Sequence, residues 1–172
     1  MNGAYSHSTA ALIVVLTACC CGIVPSQAQV TSSGLGTVVT PQAGGVFEIT
    51  GGTRPSNGPN LFHSFGDFSP GTGQSANFLN GSPNLTTTNI LSRVTGGNTS
   101  NIFGTIDTTA FPGASLFLMN PAGIVFGPNA QLNVAGSFHA TTADYIKLSD
   151  GVKFGIDTPA GVLTSAPPVA FG

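Results

Sequence analysis

The sequence has 172 residues, of which 41% are hydrophobic and only 6% are charged, and it contains 24 Gly, 12 Pro and 12 Phe. This hydrophobic content argues against a disordered chain, and the length favours one domain. The formal net charge is −2, and the four cationic side chains, Arg54, Arg93, Lys147 and Lys153, are scattered along the chain. The sequence therefore offers no basic patch for nucleic-acid binding.

Residues 1–28 have the pattern of a signal peptide. An apolar run at 10–23, too short to span a bilayer comfortably, leads to small residues at Ser26 and Ala28 that fit cleavage before Gln29. This pattern predicts export, a secreted or cell-surface protein and no stable membrane insertion. The amino end departs from the usual pattern because it has no Lys or Arg. An alternative is lipoprotein processing at Leu16-Thr17-Ala18-Cys19, which would leave a lipid anchor on Cys19.

All three cysteines lie at positions 19–21, so the chain from residue 29 onward contains no cysteine. An exported protein without disulfides depends on side-chain packing and on hydrogen bonds between strands.

Residues 30–50 predict a β-hairpin. Strands are expected at 37–40 and 46–50, joined by a turn of Pro, Gln, Ala and two Gly. A hairpin at the amino end would suit a cap, because the first coil of a solenoid otherwise exposes an unpaired strand edge.

The stretch 51–69 combines turn residues with aromatic ones. Phe62, Phe65 and Phe68 follow at intervals of three, and we expect their rings to close the mouth of a core. His63 stands alone, without a second ligand or a nucleophile at a suitable spacing, which favours a hydrogen-bonded structural histidine over a metal ligand or a base. The sequence predicts no catalytic residue, no metal and no cofactor here.

The stretch 114–136 reveals an internal repeat. Shifted forward by 22, apolar residues meet apolar residues: Leu116 with Phe138, Ile124 with Ile146, Phe126 with Leu148, Leu132 with Phe154, and Val134 with Ile156. Shifted backward by 22, Val94 lies under Leu116 and Ile102 under Ile124, after which the register drifts. A fixed period of this size is typical of a solenoid.

The apolar runs are short, and each is closed by Asn, Gly, Pro or Asp, which suit tight corners. No window supports a helix between strands. The sequence therefore predicts an all-β fold, a parallel β-helix with coils of about 20–25 residues and an amino-terminal β cap. His139 would face Phe117 in this register and point out of a coil.

Several motifs within residues 30–155 resemble the filamentous haemagglutinin amino-terminal domain, which is the secretion domain of two-partner secretion exoproteins and is also called the haemagglutination activity domain. The matching segments are 51–55, 60–65, 89–97, 100–106, 116–124 and 126–127. The most specific element is Asn120-Pro121-Ala122-Gly123-Ile124, in which the family commonly has Asn where this chain has Ala122. A second family motif, Asn-Pro-Asn-Leu, is matched only by Ser82-Pro83-Asn84-Leu85.

The resemblance implies a right-handed β-helix, a single-stranded solenoid formed by residues 29–172. It implies a non-enzymatic domain that is recognised by the periplasmic domains of an outer-membrane β-barrel transporter. Recognition would involve Asn120, Pro121, Gly123, Ile124 and, more weakly, Pro83, Asn84 and Leu85, whereas Leu61, Phe62, His63, Ser64 and Phe65 would be a structural motif.

Relatives usually continue into a long passenger, so this chain is expected to be a truncated member or a secretion domain on its own. Its last coil would then leave an exposed strand edge. A cell-surface receptor could be bound through the missing passenger. The alternative function is a surface adhesin that binds carbohydrate or protein directly.

Two other classes of function find little support. Asp144, Asp150 and Asp157 fall at turns, but the Gly-rich nonapeptide repeats of calcium-binding solenoids are absent from the sequence. A β-helix lyase would need carboxylates and bases clustered in one groove, and the six acidic residues are scattered.

Overall fold

The computed structural model describes residues 29–172, so the predicted signal peptide and the alternative lipid anchor at Cys19 lie outside the described residues. This part of the chain is all-β, with 47% strand and 4% helix. Its strands are, in chain order, β1 (Val30–Ser32), β2 (Thr37–Gln42), β3 (Val46–Gly51), β4 (Asn60–Phe68), β5 (Ser75–Phe78), β6 (Asn89–Val94), β7 (Ser100–Ile102), β8 (Thr105–Asp107), β9 (Ser115–Met119), β10 (Ile124–Phe126), β11 (Gln131–Asn133), β12 (Phe138–Thr141), β13 (Tyr145–Leu148), β14 (Lys153–Gly155) and β15 (Pro168–Phe171). Short 3-10 turns occupy Pro55–Asn57 and Ala160–Val162.

Three sheets form the walls of a β-solenoid of about four turns. Sheet 1 has the strand order β1-β4-β6-β9-β12, sheet 2 pairs β7 with β10, and sheet 3 has the order β2-β3-β5-β8-β11. From β6 onward the chain passes from sheet 1 to sheet 2 to sheet 3 in each coil, and equivalent strands of successive coils pair in parallel. The predicted parallel β-helix is therefore confirmed.

The length of a coil varies, and the predicted period holds only between the last two coils. Leu116 pairs with Phe138 as predicted, a spacing of 22. In the earlier coils the spacing is larger: it is 29 between Asn60 and its partner Asn89, and 26 between Asn89 and its partner Ser115. The two pairs predicted by the backward shift, Val94 under Leu116 and Ile102 under Ile124, were wrong. Leu116 pairs with Ile90, and Ile102 pairs with Phe126. The corners absorb the difference, because turns tolerate insertions that strands cannot.

Four of the five forward pairs were also wrong. Ile146, Leu148 and Phe154 lie in β13 and β14, which pair with each other antiparallel and do not extend the coils. The incorrectly predicted pairs are Ile124 with Ile146, Phe126 with Leu148, Leu132 with Phe154, and Val134 with Ile156. Leu132 instead pairs with Ile106. Strands of either direction share a side-chain period of two, so matched alternation cannot distinguish a further coil from a separate sheet.

The amino-terminal cap is confirmed. Strands β2 and β3 form the predicted antiparallel hairpin, and β3 then pairs in parallel with β5, so the hairpin begins sheet 3. Strand β1 pairs antiparallel with β4 and begins sheet 1. The first coil is thus covered on both long sheets, which protects its backbone groups from pairing with another chain.

The interior of the solenoid is filled by side chains that point inward from the three sheets. They form one apolar cluster, whose buried members are Val30, Ile49, Leu61, Phe65, Phe68, Ala76, Phe78, Ile90, Val94, Ile102, Ile106, Phe111, Ala114, Leu116 and Leu118. Phe65 and Phe68 contact each other in the first coils, with ring centroids 4.9 Å apart. They lie near the capped end, as expected, but Phe62 does not join them.

A second apolar cluster lies on the outward face of sheet 1. Strands β13, β14 and β15 form a separate antiparallel sheet, sheet 4, in the order β14-β13-β15. Its side chains pack on those of sheet 1, and the buried members of this cluster are Leu35, Phe62, Leu91, Phe117, Met119, Ile146, Leu148, Phe154 and Leu163. Strands β6 and β9 are consequently covered on both faces. His139 points outward, as predicted, and stacks on Phe117 with centroids 4.4 Å apart.

The far end of the solenoid remains open in the described chain. Strands β10, β11 and β12 are each paired on one side only. Phe126 and Leu132 on these strands are more than 40% exposed, so the expected exposed edge is present. Among residues 29–172, no helix has the length and apolar character to cross a membrane.

Candidate functional site

Asn120 holds the corner between sheet 1 and sheet 2. Its side chain is 1% exposed. The amide nitrogen donates to the Asn98 carbonyl and to Ser100 Oγ, both at 2.9 Å, and both acceptors belong to the preceding coil. Its Oδ1 accepts from the Ala122 backbone N–H at 3.0 Å. Asn120 therefore closes its own turn and fastens that turn to the coil below.

The residues that follow Asn120 complete a tight β-turn. The backbone N–H of Gly123 donates to the Asn120 carbonyl at 3.0 Å, and Gly123 has a φ of +114°, which side chains rarely tolerate. Pro121 fixes φ at the first central position. Ile124 then enters β10 and packs against the inner core. Of this turn, Ala122 is the exposed residue.

We expect Asn120→Ala to lower the free energy of unfolding by about 2 kcal/mol, because acceptors on the preceding coil lose a buried donor. Urea unfolding followed by circular dichroism measures the change. Ala122→Asn in the same turn is the matched control and should change stability by less than about 0.5 kcal/mol. Equal stabilities for the two variants would contradict the role of the buried amide.

We expect Gly123→Ala to lower the free energy of unfolding by about 1–2 kcal/mol, because a Cβ is disfavoured at positive φ. The neighbouring Thr99 methyl would be at 3.4 Å from the new Cβ, so backbone strain rather than a clash should dominate. Gly161→Ala is a suitable control, since its new Cβ would meet open space. Thermal unfolding of both variants tests this, and a neutral Gly123→Ala would show that the turn can relax.

The Ser82-Pro83-Asn84-Leu85 segment lies in the loop between β5 and β6, at the corner where sheet 3 returns to sheet 1. Pro83 and Asn84 are exposed, and Leu85 is half-buried. The Leu85 N–H donates to the Ser82 carbonyl at 3.0 Å, which closes a turn. Clefts of about 220 Å³ and 380 Å³ adjoin this loop, and both are lined by Leu85 and Phe111.

Arg54 secures the same loop. Its guanidinium donates to the Gly58 carbonyl at 2.8 Å, to the Thr86 carbonyl at 3.3 Å and to Thr87 Oγ1 at 2.5 Å. Partial burial lowers the pKa of Arg54. The turns at Asn120–Gly123 and Ser82–Leu85 are each closed by a backbone hydrogen bond. They lie at different corners of the coil, and the structure does not bring them together.

The β4 motif alternates between the two cores. Leu61 and Phe65 point inward, whereas Phe62 packs in the outer cluster. Ser64 accepts a hydrogen bond from Arg93 Nε at 2.9 Å. This motif builds the wall of the solenoid and offers no exposed surface, since Leu61–Phe65 are all buried.

His63 is fully buried within this wall. Its Nδ1 lies 3.2 Å from Thr37 Oγ1. Because Thr37 Oγ1 accepts from the Ser64 backbone N–H at 3.0 Å, the threonine proton can be donated to Nδ1 of a neutral ring. Burial, and to a smaller extent the charge of Arg54, lowers the pKa of His63 to about 3. His63 is thus a neutral, hydrogen-bonded core residue.

Arg93 and Asn60 link sheet 4 to the solenoid, a role that was not predicted for either residue from the sequence. Arg93 is 7% exposed, and its Nη1 donates to the carbonyls of Gly155 at 2.6 Å and Thr158 at 2.7 Å. Asn60 donates to the carbonyls of Thr164 and Ala166. One signal was available for Asn60: the pattern of Asn followed by two apolar residues recurs at Asn89, which pairs with it.

The acidic residues do not assemble into a site. Among residues 29–172, no group of three or more His, Cys, Asp or Glu side chains is placed to hold a metal ion. Asp107 accepts hydrogen bonds from Thr109 and Asn133, and these lower its pKa despite partial burial. These contacts serve the outer surface of sheet 3.

Comparison with known proteins supports one family. Residues 22–172 match the family model described as the TPS secretion domain, whereas a search of curated proteins found no match. This family is not enzymatic, and it implies an outer-membrane transporter as the second partner. On the strength of this match over most of its length, the chain belongs to the TPS secretion domain family and is an exported protein targeted for two-partner secretion.

Proposed function

We propose that this chain is a secretion-targeting domain that the periplasmic domains of an outer-membrane β-barrel transporter recognise, and that its coils begin the folding of the exported protein outside the cell. The observation that carries this proposal is the family match over residues 22–172. Stacked coils and the lack of cysteine from residue 29 onward also suit a chain that crosses a narrow barrel unfolded.

Recognition would use an exposed strand edge, that of β10, and the turns at the corners of the coil. The side chain of Asn120 is buried in the folded domain, so in that state a partner would meet Ala122 and the edge of β10 rather than the amide. Such a partner could add a strand to the edge by β-augmentation, in which main-chain hydrogen bonds give affinity. Pro83 and Asn84 are exposed at another corner and would form a separate contact.

Folding outside the cell would follow from the coil architecture. Apart from the cap strands β1 and β2, each strand of sheets 1 to 3 pairs in parallel with the equivalent strand of a neighbouring coil, so a coil gains stability from the one beside it. The capped amino-terminal coils provide the first template, and later coils add to it.

A pull-down with the transporter's purified periplasmic domains tests recognition. We expect the chain to be retained, and we expect Ala122→Asp to weaken retention while leaving the fold unchanged. Leu132→Asp, on a different strand edge, is the control. Absence of any retention, from folded or refolding chain, would refute the proposal. A cell-binding assay of the same purified chain tests the alternative, a direct adhesin.

The route of export is a separate part of the proposal. We propose that residues 1–28 are removed as a signal peptide before Gln29. Mass spectrometry of the exported chain distinguishes this from lipid attachment at Cys19, since the two products differ in both their first residue and an acyl modification.

A further inference from the structure

The dipeptide Asn-Gly occurs twice within residues 29–172, at Asn57-Gly58 and at Asn80-Gly81. This dipeptide is chemically labile, because glycine has no side chain to shield its backbone nitrogen from the carboxamide of the preceding residue. Both asparagines lie beside exposed surface rather than in the core. The fold therefore presents the same reactive pair in two different settings.

The first pair is held in place by the surrounding chain. The backbone N–H of Gly58 donates to the Pro55 carbonyl at 2.8 Å, which closes the 3-10 turn. The Gly58 carbonyl accepts from Arg54 Nη1 at 2.8 Å. A Cβ at Gly58 would clash with the side chain of Ser165, so this segment is also tightly packed. The Gly58 nitrogen cannot turn towards Asn57 without loss of its hydrogen bond.

The second pair has no such restraint. Within residues 29–172, no group accepts a hydrogen bond from the Gly81 N–H. Gly81 is exposed, and a Cβ built on it would meet open space. Asn80 Oδ1 accepts from the Ser82 backbone N–H at 3.0 Å. This contact is an Asx turn, in which the side chain folds back over the residues that follow it. The Asn80 carboxamide and the Gly81 nitrogen are thus neighbours that are free to react.

We propose that Asn80 is a site of intramolecular deamidation in the folded chain, whereas Asn57 is protected. The Gly81 nitrogen loses its proton and attacks Asn80 Cγ. The new N–Cγ bond closes a succinimide ring, and the carboxamide nitrogen takes up a proton and leaves as ammonia. Water then opens the ring at either of its carbonyl groups, which yields aspartate or isoaspartate. Water is the only co-reactant, and the reaction is independent of the proposed function.

The product carries a negative charge on a loop that has none. Residues 79–88 contain no charged side chain. Asn80 and Arg54 line the same cleft of about 380 Å³. The hydrogen-bond acceptors of this guanidinium are neutral, namely two carbonyls and a threonine hydroxyl. The new carboxylate is therefore attracted to a nearby cation and is compatible with the fold. Isoaspartate also lengthens the main chain just before the turn at Ser82–Leu85.

Timed incubation of the purified, folded chain at slightly alkaline pH tests this proposal. Mass spectrometry with fragmentation locates each carboxamide that has become a carboxyl group, and the release of ammonia gives the total. We expect Asn80 to be modified at least about 10-fold faster than Asn57, because attack on Asn57 first requires loss of the Gly58 hydrogen bond and its packing. In urea, where neither glycine is held, the two rates should agree within about 3-fold.

Gly81→Ala is the matched variant. Its new Cβ meets open space, so the fold should be retained, which circular dichroism verifies. The methyl group hinders the nitrogen and should slow modification of Asn80 by about 10-fold or more. Asn80→Asp supplies one authentic product as a standard.

Three results would overturn the proposal. The first is equal modification of Asn57 and Asn80 in the folded chain, or faster modification of Asn57. The second is an unchanged rate at Asn80 in Gly81→Ala, which would show that the Gly81 nitrogen is not the attacking group. The third is a difference between the two asparagines that persists in urea, since the local sequence rather than the fold would then control the reaction.

Discussion

Arg93→Ala is expected to lower the free energy of unfolding by about 3–5 kcal/mol, because three acceptors that are at least partly buried lose a charged donor at once. These acceptors are Ser64 Oγ and the carbonyls of Gly155 and Thr158. Loss of the aliphatic stem and of the contact with the Phe154 ring adds to the effect. Urea denaturation measures the total change.

The loss of stability caused by Arg93→Ala should not be uniform over the chain. Hydrogen exchange of Arg93→Ala is expected to show β13–β15 losing protection before sheet 3 does, because Arg93 fastens sheet 4 to the solenoid. Lys147→Ala is the control: Lys147 is an exposed cation on β13 and should contribute less than about 0.5 kcal/mol. A change of less than about 1 kcal/mol for Arg93→Ala would show that the attachment of sheet 4 to the solenoid does not depend on this residue.

Acidification is expected to destabilise the domain through His63. Its pKa is about 3 in the folded chain, against 6.5 for the ordinary value, so the unfolded chain binds the proton more readily. The contribution of His63 to the free energy of unfolding is therefore fully present above the pKa of the unfolded chain. It is lost as the pH falls towards the pKa of the folded chain. The slope approaches about 1.4 kcal/mol per pH unit, which gives about 2 kcal/mol between about pH 6.5 and 4.5.

His63→Gln isolates this contribution. The variant is expected to be less stable at neutral pH, since the ring also packs near Phe65 and Phe78, but its stability should be nearly constant between about pH 6.5 and 4.5. Asp107 has a lowered pKa, so its own contribution is lost only at lower pH. Parallel pH profiles for His63→Gln and the unmodified chain would refute the assignment to His63.

The sequence was sufficient to predict the coil architecture. Short apolar runs closed by Gly, Pro and Asn correspond to the strands and corners of sheets 1 to 3, and the hairpin of β2 and β3 was recognisable from its alternation and turn. The turn at Asn120 was also predictable, because Pro and Gly fix its conformation locally. These features depend on residues that are close in the chain.

Features that depend on distant residues were not predictable in the same way. Ile146, Leu148 and Phe154 match the apolar positions of a further coil, yet they form sheet 4 and pack on the outer face of sheet 1. The strand pattern does not encode the direction of pairing. For the same reason, nothing beside Arg93 in the chain indicates that its guanidinium meets carbonyl groups 62 and 65 residues later.

The same distinction applies to the candidate site. Local sequence identifies both motifs, but only the structure shows that Asn120 is buried, that Asn84 is exposed, and that the two motifs lie at separate corners. Phe62 was expected to close the mouth of the core with Phe65 and Phe68, but it packs in the outer cluster instead. Only the tertiary structure shows that a distant part of the chain covers Phe62.

Secretion of a fused reporter is the decisive test of whether this domain targets a protein to the outer-membrane transporter. A reporter without disulfides is fused after Gly172 and expressed in cells with and without the outer-membrane transporter. We predict that the reporter reaches the medium or the cell surface only when both the intact domain and the transporter are present. A reporter that stays in the periplasm beside a functional transporter, or that leaves the cell without one, would show that the domain does not direct secretion through the transporter.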